Sequence, residues 1–246
     1  MPLDICNPSP RCTREGTRKH PLRLIASGIV FALAVSCSAD EPPDQVPAGL
    51  AAIESTAEDA FDLALAGDVT TVRMRADELS AKWNSYRSKA ESDGVPSSAI
   101  SSLDATISQL TSVASGSPSP QELARAANAV SEPMPTFYEV YHPVVPSQVL
   151  ALDYEGREVR LDALESDFAR AGTDVDKIDS LWQGLRARVV SAGGSAEATS
   201  FEASIASERS AIDGSDGVAL DTAAVDQLEI VDKVETVFAQ AGDAPD

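Results

Sequence analysis

The residues whose types could do chemistry gather in one stretch, residues 133–158 (PMPTFYEVYHPVVPSQVLALDYEGRE). It holds Tyr138, Tyr141 and Tyr154, three of the chain's four tyrosines, together with His142, Asp153, Arg157 and Glu158. Glu139-Val140-Tyr141-His142 is a Glu-x-x-His. On a helix that spacing puts a carboxylate and an imidazole on one face, as metal sites in helical bundles require. A site here would draw on Glu139, His142, Asp153 and Glu158, with Glu155 within reach. It would be lopsided, because such bundles use two motifs of this kind and Pro143 ends the helix at His142. The same stretch supports a second reading. Tyr138, Tyr141, His142, Tyr154 and Arg157 offer rigid rings with polar tips and a guanidinium, the side chains that anchor protein interfaces. A third reading is a connector packed over a bundle seam, with Tyr hydroxyls and His142 capping helix ends and Arg157 paired with Asp153 or Glu158.

The N-terminus carries its own chemical signal. Residues 1–23 have a formal charge of +3, residues 24–35 (LIASGIVFALAV) carry no charge, and small residues lead to Cys37. A basic flank, a short apolar core and a small-residue cut site describe a secretory signal. Twelve residues rise roughly 18 Å as a helix, short of the ~30 Å apolar core of a bilayer. Leu33-Ala34-Val35-Ser36-Cys37 resembles the lipobox of bacterial lipoproteins, although Ala34 stands where leucine is commoner. The resemblance covers the signal region alone. It implies diacylglyceryl transfer to the Cys37 thiol, cleavage before it and acylation of the new amine, giving the two or more chains that stable anchoring needs. Residues 38–47 (SADEPPDQVP) read as an extended tether. Ser38, in place of Asp, slightly favours an outer-membrane address facing the periplasm.

If that leader is removed, the remaining chain loses most of the familiar catalysts. Of Cys6, Cys12 and Cys37, two would be cut away and one acylated, leaving no disulfide, thiol nucleophile or thiolate metal site. His142 would be the single histidine. No Ser/His/Asp set, His pair, Gly-rich phosphate loop or haem attachment motif is visible. The carboxylates read as scattered over outward faces. Taking the five basic and two acidic residues before Cys37 from the chain's 19 and 39 leaves 14 and 37, a net charge of −23. Nucleic acid is a poor partner for such a surface. Anionic lipid is repelled too, so the membrane would be held through lipid on Cys37.

The elements that position these residues are helices. Apolar residues recur at intervals of three and four, and β-branched alternation is scarce. The pattern predicts an all-α chain of about eight helices, near 48–66, 69–92, 98–115, 120–141, 147–171, 174–192, 196–212 and 219–240. Asp68 caps the second. Ser119, Pro120 and Glu122 make a capping box for the fourth, which Pro133 and Pro135 disturb. Thr173 or Asp174 is read as the cap of the sixth. Two antiparallel four-helix units follow, over 48–142 and 143–246, after a signal peptide (1–36) and a tether (37–47). They can be read as a degenerate duplication that pairs Val69, Val72, Ala76, Leu79 and Trp83 with Val175, Ile178, Trp182, Leu185 and Val189. Trp83 and Trp182 are expected in the core. The expected function is a lipid-anchored, extracytoplasmic helical protein without catalytic activity that recognises an envelope protein. The alternative is a metal-handling lipoprotein using His142 and nearby carboxylates, a metal ion being the only cofactor the pattern could hold.

Overall fold

The computed structural model describes residues 46–242, and the expectations for Cys37 and the leader lie outside them. The described residues are helical and contain no strand: α1 (Ala48–Leu65), α2 (Val69–Asp93), α3 (Ser97–Ser115), α4 (Pro120–Asn128), α5 (Met134–Glu139), α6 (Ser147–Glu165), α7 (Phe168–Ser191), α8 (Ser195–Asp213) and α9 (Gly217–Gly242). None of these helices is long and apolar enough to cross a membrane. The count is nine because the fourth expected helix divides. Pro133 and Pro135 lack the amide hydrogens a continuous helix needs, and turns replace the helix between α4 and α5.

Contacts close two rings of four. In the first, α1 packs on α2 and α4, and α3 on α2 and α4. In the second, α6 packs on α7 and α9, and α8 on α7 and α9. Two buried apolar clusters fill them. Leu50, Phe61, Leu79, Trp83, Leu103 and Phe137 belong to the first, and Val149, Ile178, Trp182, Phe201 and Val234 to the second. Helix α6 serves both, since it also lies against α4 and α5 and sends Leu161 into the first cluster. Trp83 meets Phe137 edge-on, and Trp182 stacks on Phe201.

The break after α6 comes earlier than the periodicity suggests. The helix stops at Ser166, a non-glycine residue with φ of 58°. Asp167 then caps α7 by accepting from the Arg170 amide. Thr173 and Asp174, expected as the cap of the next helix, lie inside α7, as does Gly172. A glycine in a helix costs about 1 kcal/mol, which the Asp167 cap and the burial of Ala171, Asp174 and Val175 around it offset.

Moving the break changes the register between the halves. The first residues of α6, α7, α8 and α9 follow those of α1, α2, α3 and α4 by 99, 99, 98 and 97 positions. In this register Pro47 meets Pro146 as N-cap, Asp68 meets Asp167, Gly94 (φ 90°) meets Gly193 (φ 98°), and Trp83 meets Trp182. The salt bridge Arg87–Asp104 has its counterpart in Arg186–Glu202. The pairing of Trp83 with Val189, and of Ala76 with Trp182, is therefore a turn or more out of step.

Candidate functional site

The structure disperses the side chains expected to form one exposed patch. Arg157 is only 5 % exposed. Tyr138, Tyr141 and Tyr154 are half-buried. The Tyr141 hydroxyl donates to Asp93 of α2 and takes a hydrogen bond from Tyr86, 2.6 Å away. Only His142 and Glu139 stand exposed. The Glu-x-x-His reading fails on backbone grounds, because α5 ends at Glu139 and His142 has φ of 47°. The two side chains do not share a helical face. Glu139 accepts from the Ser147 hydroxyl, at 3.2 Å. Asp153 binds Arg157, and Glu158 binds Arg125 and Asn128. Among the described residues His142 belongs to no group of three potential metal ligands.

Arg157 is instead the centre of a polar seam between α1, the α4–α5 region, α6 and α9. Its Nη2 donates to Glu58, at 2.8 Å, and to Asp153; its Nη1 donates to Asn128, at 3.3 Å. The guanidinium carbon lies 5.8 Å from the centre of the Phe61 ring. Burial opposes its charge, and Asp153, Glu58 and Glu54 outweigh burial and raise its pKa. The acids there outnumber it. Glu54 of α1 is 5 % exposed, and its Oε2 has no hydrogen-bond partner. Burial pushes Glu54 up to about 7, against the pull of Arg157. Burial likewise raises Glu58 and Asp232, and takes Glu235 up to about 7.

A cavity of about 360 Å³ opens beside this seam. Ser55, Glu58, Tyr138 and Glu235 supply its polar lining, and Val46, Val144, Val145 and Leu150 its apolar walls. In the 99/98/97 register Val46 is the counterpart of Val145, Ala51 of Leu150, and Tyr138 of Glu235, and all six line this cavity. Glu58 and Arg157 are counterparts and touch, and Glu54 and Asp153 are counterparts and near neighbours.

A second carboxylate group lies between α6 and α7. One ligand oxygen each from Glu158, Asp162 and Asp174 falls within 4.8 Å of the others, and all three residues are buried. Cations already face them. Arg125 binds Glu158, Asp162 and Glu165; Arg170 binds Asp162; Lys177 binds Asp174 and Glu155. Asp162 Oδ2 is buried without a partner. Burial raises Asp162 and Glu158, and takes Glu155 up to about 7.

No protein-family model, curated protein or solved structure matches the chain. The two acidic groups and the cavity are therefore the features that bear on function. Sequence reasoning missed Glu54, Glu58, Glu235, Asp162 and Asp174 because it placed carboxylates on outer faces. A usable signal existed: Glu54 sits between Ile53 and Ala57 on the inward stripe of α1, four residues before Glu58.

Proposed function

We propose that the chain is a lipid-anchored, extracytoplasmic binding protein without catalytic activity, and that its binding site is the seam cavity rather than an exposed face of residues 133–158. The lipobox-like run ending at Cys37, the polar tether after it and the acidic body support the address. The cavity carries the binding half of the reading: concave, largely apolar in its walls, with a few convergent polar groups, it has the character of small-ligand sites. It is lined by equivalent residues of both halves, so the register also supports reading the halves as a duplication whose junction acquired the site.

Two experiments test this. A clickable palmitate analogue should label the chain in bacterial cells, and Cys37→Ser should abolish the label and release the protein from membranes; labelling that survives would sink the anchor. A photo-crosslinking residue at position 144, on the cavity wall, should capture a discrete molecule. The same residue at position 74 should not, since Met74 is exposed on α2 and does not line the cavity. Identical products at both positions would sink the binding site.

A metal-handling reading survives in altered form. Its ligands would be Glu158, Asp162 and Asp174, favoured by the free Asp162 Oδ2, with His142 playing no part. Arg125, Arg170 and Lys177 already neutralise much of that group, which makes it the weaker reading. Calorimetry with calcium, manganese and zinc separates the two: binding removed by Asp174→Asn and unaffected by His142→Ala supports it, and no binding ends it.

A further inference from the structure

We infer that the seam cavity receives an alkylammonium group, the end of a linear aliphatic amine or of a lysine side chain, with the charged head between Glu58 and Glu235 and the methylenes along Val46, Val144, Val145 and Leu150. This rests on the cavity being the binding site and names what it binds.

Charge points to a cation. Five carboxylates surround the seam: Glu54 and Glu58 from α1, Asp153 from α6, and Asp232 and Glu235 from α9. Arg157 is the cation that the ion pairs place among them, and its donors are directed to Glu58, Asp153 and Asn128. Glu54, nine-tenths buried and more, keeps one oxygen without any donor. Ser131 hydrogen-bonds to the same carboxylate, so one oxygen alone stays bare, at a cost. Glu58 and Glu235, not Glu54, reach the cavity lining, and a cation entering the cavity lies in the field of all five acids.

The shape of the wall selects the kind of cation. Calcium takes six to eight oxygens at 2.3–2.6 Å, and magnesium demands near-octahedral geometry. The cavity lining offers two carboxylates, one phenol and one serine, with valine, leucine, alanine and proline elsewhere. That is too few oxygens for an inorganic ion and too much apolar surface for its water shell. An amine on an aliphatic stem fits both halves of the lining, because such stems lie along apolar surface while the head seeks charge. The Tyr138 ring adds an aromatic face of the kind that attracts cations.

The test uses the full chain bearing Cys37→Ser, with calorimetry against 1,5-diaminopentane, spermidine, 1,5-pentanediol, magnesium chloride and a lysine-containing tripeptide. The expected result is saturable amine binding with one site, absent for the diol. Glu235→Gln and Glu58→Gln should each weaken it at least tenfold. Asp77→Asn and Asp213→Asn, which remove exposed charges outside the cavity, should leave it within twofold. Val144→Trp at the cavity wall should block it with no change of charge, and circular dichroism of each variant checks that it is folded. Tighter binding of the tripeptide than of the free amines assigns the group to a protein partner, and the reverse assigns it to a small molecule. Equal weakening by the cavity and surface variants would reduce the effect to counterion attraction and overturn the inference, as would magnesium binding with the same dependence on Glu235. If amines fail to bind while position 144 still captures a discrete molecule, the cation is wrong and the site stands. If both fail, the binding site itself is wrong.

Discussion

The two halves build the same ring of helices around cores of different polarity. Between α3 and the turn after α4 the first half buries Leu110 and Val130, both fully. At the corresponding positions of α8 and α9 the second half buries Glu208 and Gln227, also fully. Gln227 donates its amide to Glu208, at 2.9 Å, and to Ser204, at 3.2 Å, leaving Glu208 Oε1 and Gln227 Oε1 without partners. Burial pushes Glu208 up to about 8, against the hydrogen bond from Gln227. A second difference runs along α2 and α7. The Trp83 indole donates to Asp104, at 2.6 Å, whereas the Trp182 indole nitrogen is buried without an acceptor. The fold tolerates polar groups in its second core that its first core does without, and the packing of the rings rather than any one polar contact sets the architecture.

The largest expected effect breaks each core at its matched tryptophan. Trp83→Ala and Trp182→Ala should each destabilise by about 3–5 kcal/mol, the range for emptying a buried aromatic site. Replacement by phenylalanine separates the two. Trp83→Phe leaves Asp104 without its indole donor, although Arg87 still binds it, and adds a lost hydrogen bond of about 1 kcal/mol. Trp182→Phe removes a nitrogen that bonds to nothing and should cost less. Urea denaturation of the four variants measures this, and equal losses for the two phenylalanine variants would erase the contrast.

The polar pair comes next. Glu208→Leu alone strands the buried Gln227 amide and should cost about 1–3 kcal/mol, the penalty for an unsatisfied buried group. Adding Gln227→Val restores the Leu110–Val130 arrangement and should return stability to wild type or above, since replacing both partners with apolar groups is neutral or stabilising. A double variant weaker than the single would show that the second ring needs this pair.

The same acids set the pH response. Glu208, Glu54 and Glu235 ionise near their ordinary range when unfolded and at about 8, 7 and 7 when folded. A raised folded pKa means that the unfolded chain releases its protons first, so stability is full below about 4.5 and declines as pH rises to about 8. Asp104 and Asp93 have lowered values and work in the opposite sense below their ordinary range. The melting temperature should therefore peak near pH 5 and fall steadily towards pH 8.5. In Glu208→Leu/Gln227→Val that fall should be shallower, and an unchanged slope would remove Glu208 from the cause.

These contrasts also mark what could be read from residues alone. Helix positions followed from the three-and-four spacing of residues such as Leu50, Ile53, Ala57 and Phe61. The helix starts carried by familiar caps, Asp68 and Ser119, were equally plain. The break at Ser166 was not, because serine rarely takes a left-handed conformation while Thr173 and Asp174 resembled the cap of the next helix. The buried acids were hidden for a different reason. Polarity read along a chain sends carboxylates outward, and what holds Asp162 inside is Arg125, 37 residues away. The cavity was invisible for the same reason. Its lining comes from positions 46 to 235, and only the corrected register makes Tyr138 and Glu235 counterparts.

The smallest effect tests whether the halves are equivalent at their caps. Ser119 and Asp216 stand immediately before α4 and α9, 97 positions apart. The Ser119 hydroxyl accepts from the Glu122 amide while the Glu122 carboxylate accepts from the Ser119 amide. Asp216 uses one oxygen for two amides, those of Val218 and Ala219. Removing either cap exposes amides at a helix start, at about 1 kcal/mol, or roughly 2–4 °C of melting temperature in a domain of this size. The aspartate also places a negative charge at the positive end of the helix dipole, worth a further 0.3–1 kcal/mol or so at low ionic strength and screened by salt. Asp216→Ala should therefore cost more than Ser119→Ala in low salt, and the two should converge in 1 M sodium chloride. Calorimetric melting at both salt concentrations decides it, and a gap that persists in high salt would mean that Asp216 holds α9 by hydrogen bonding alone.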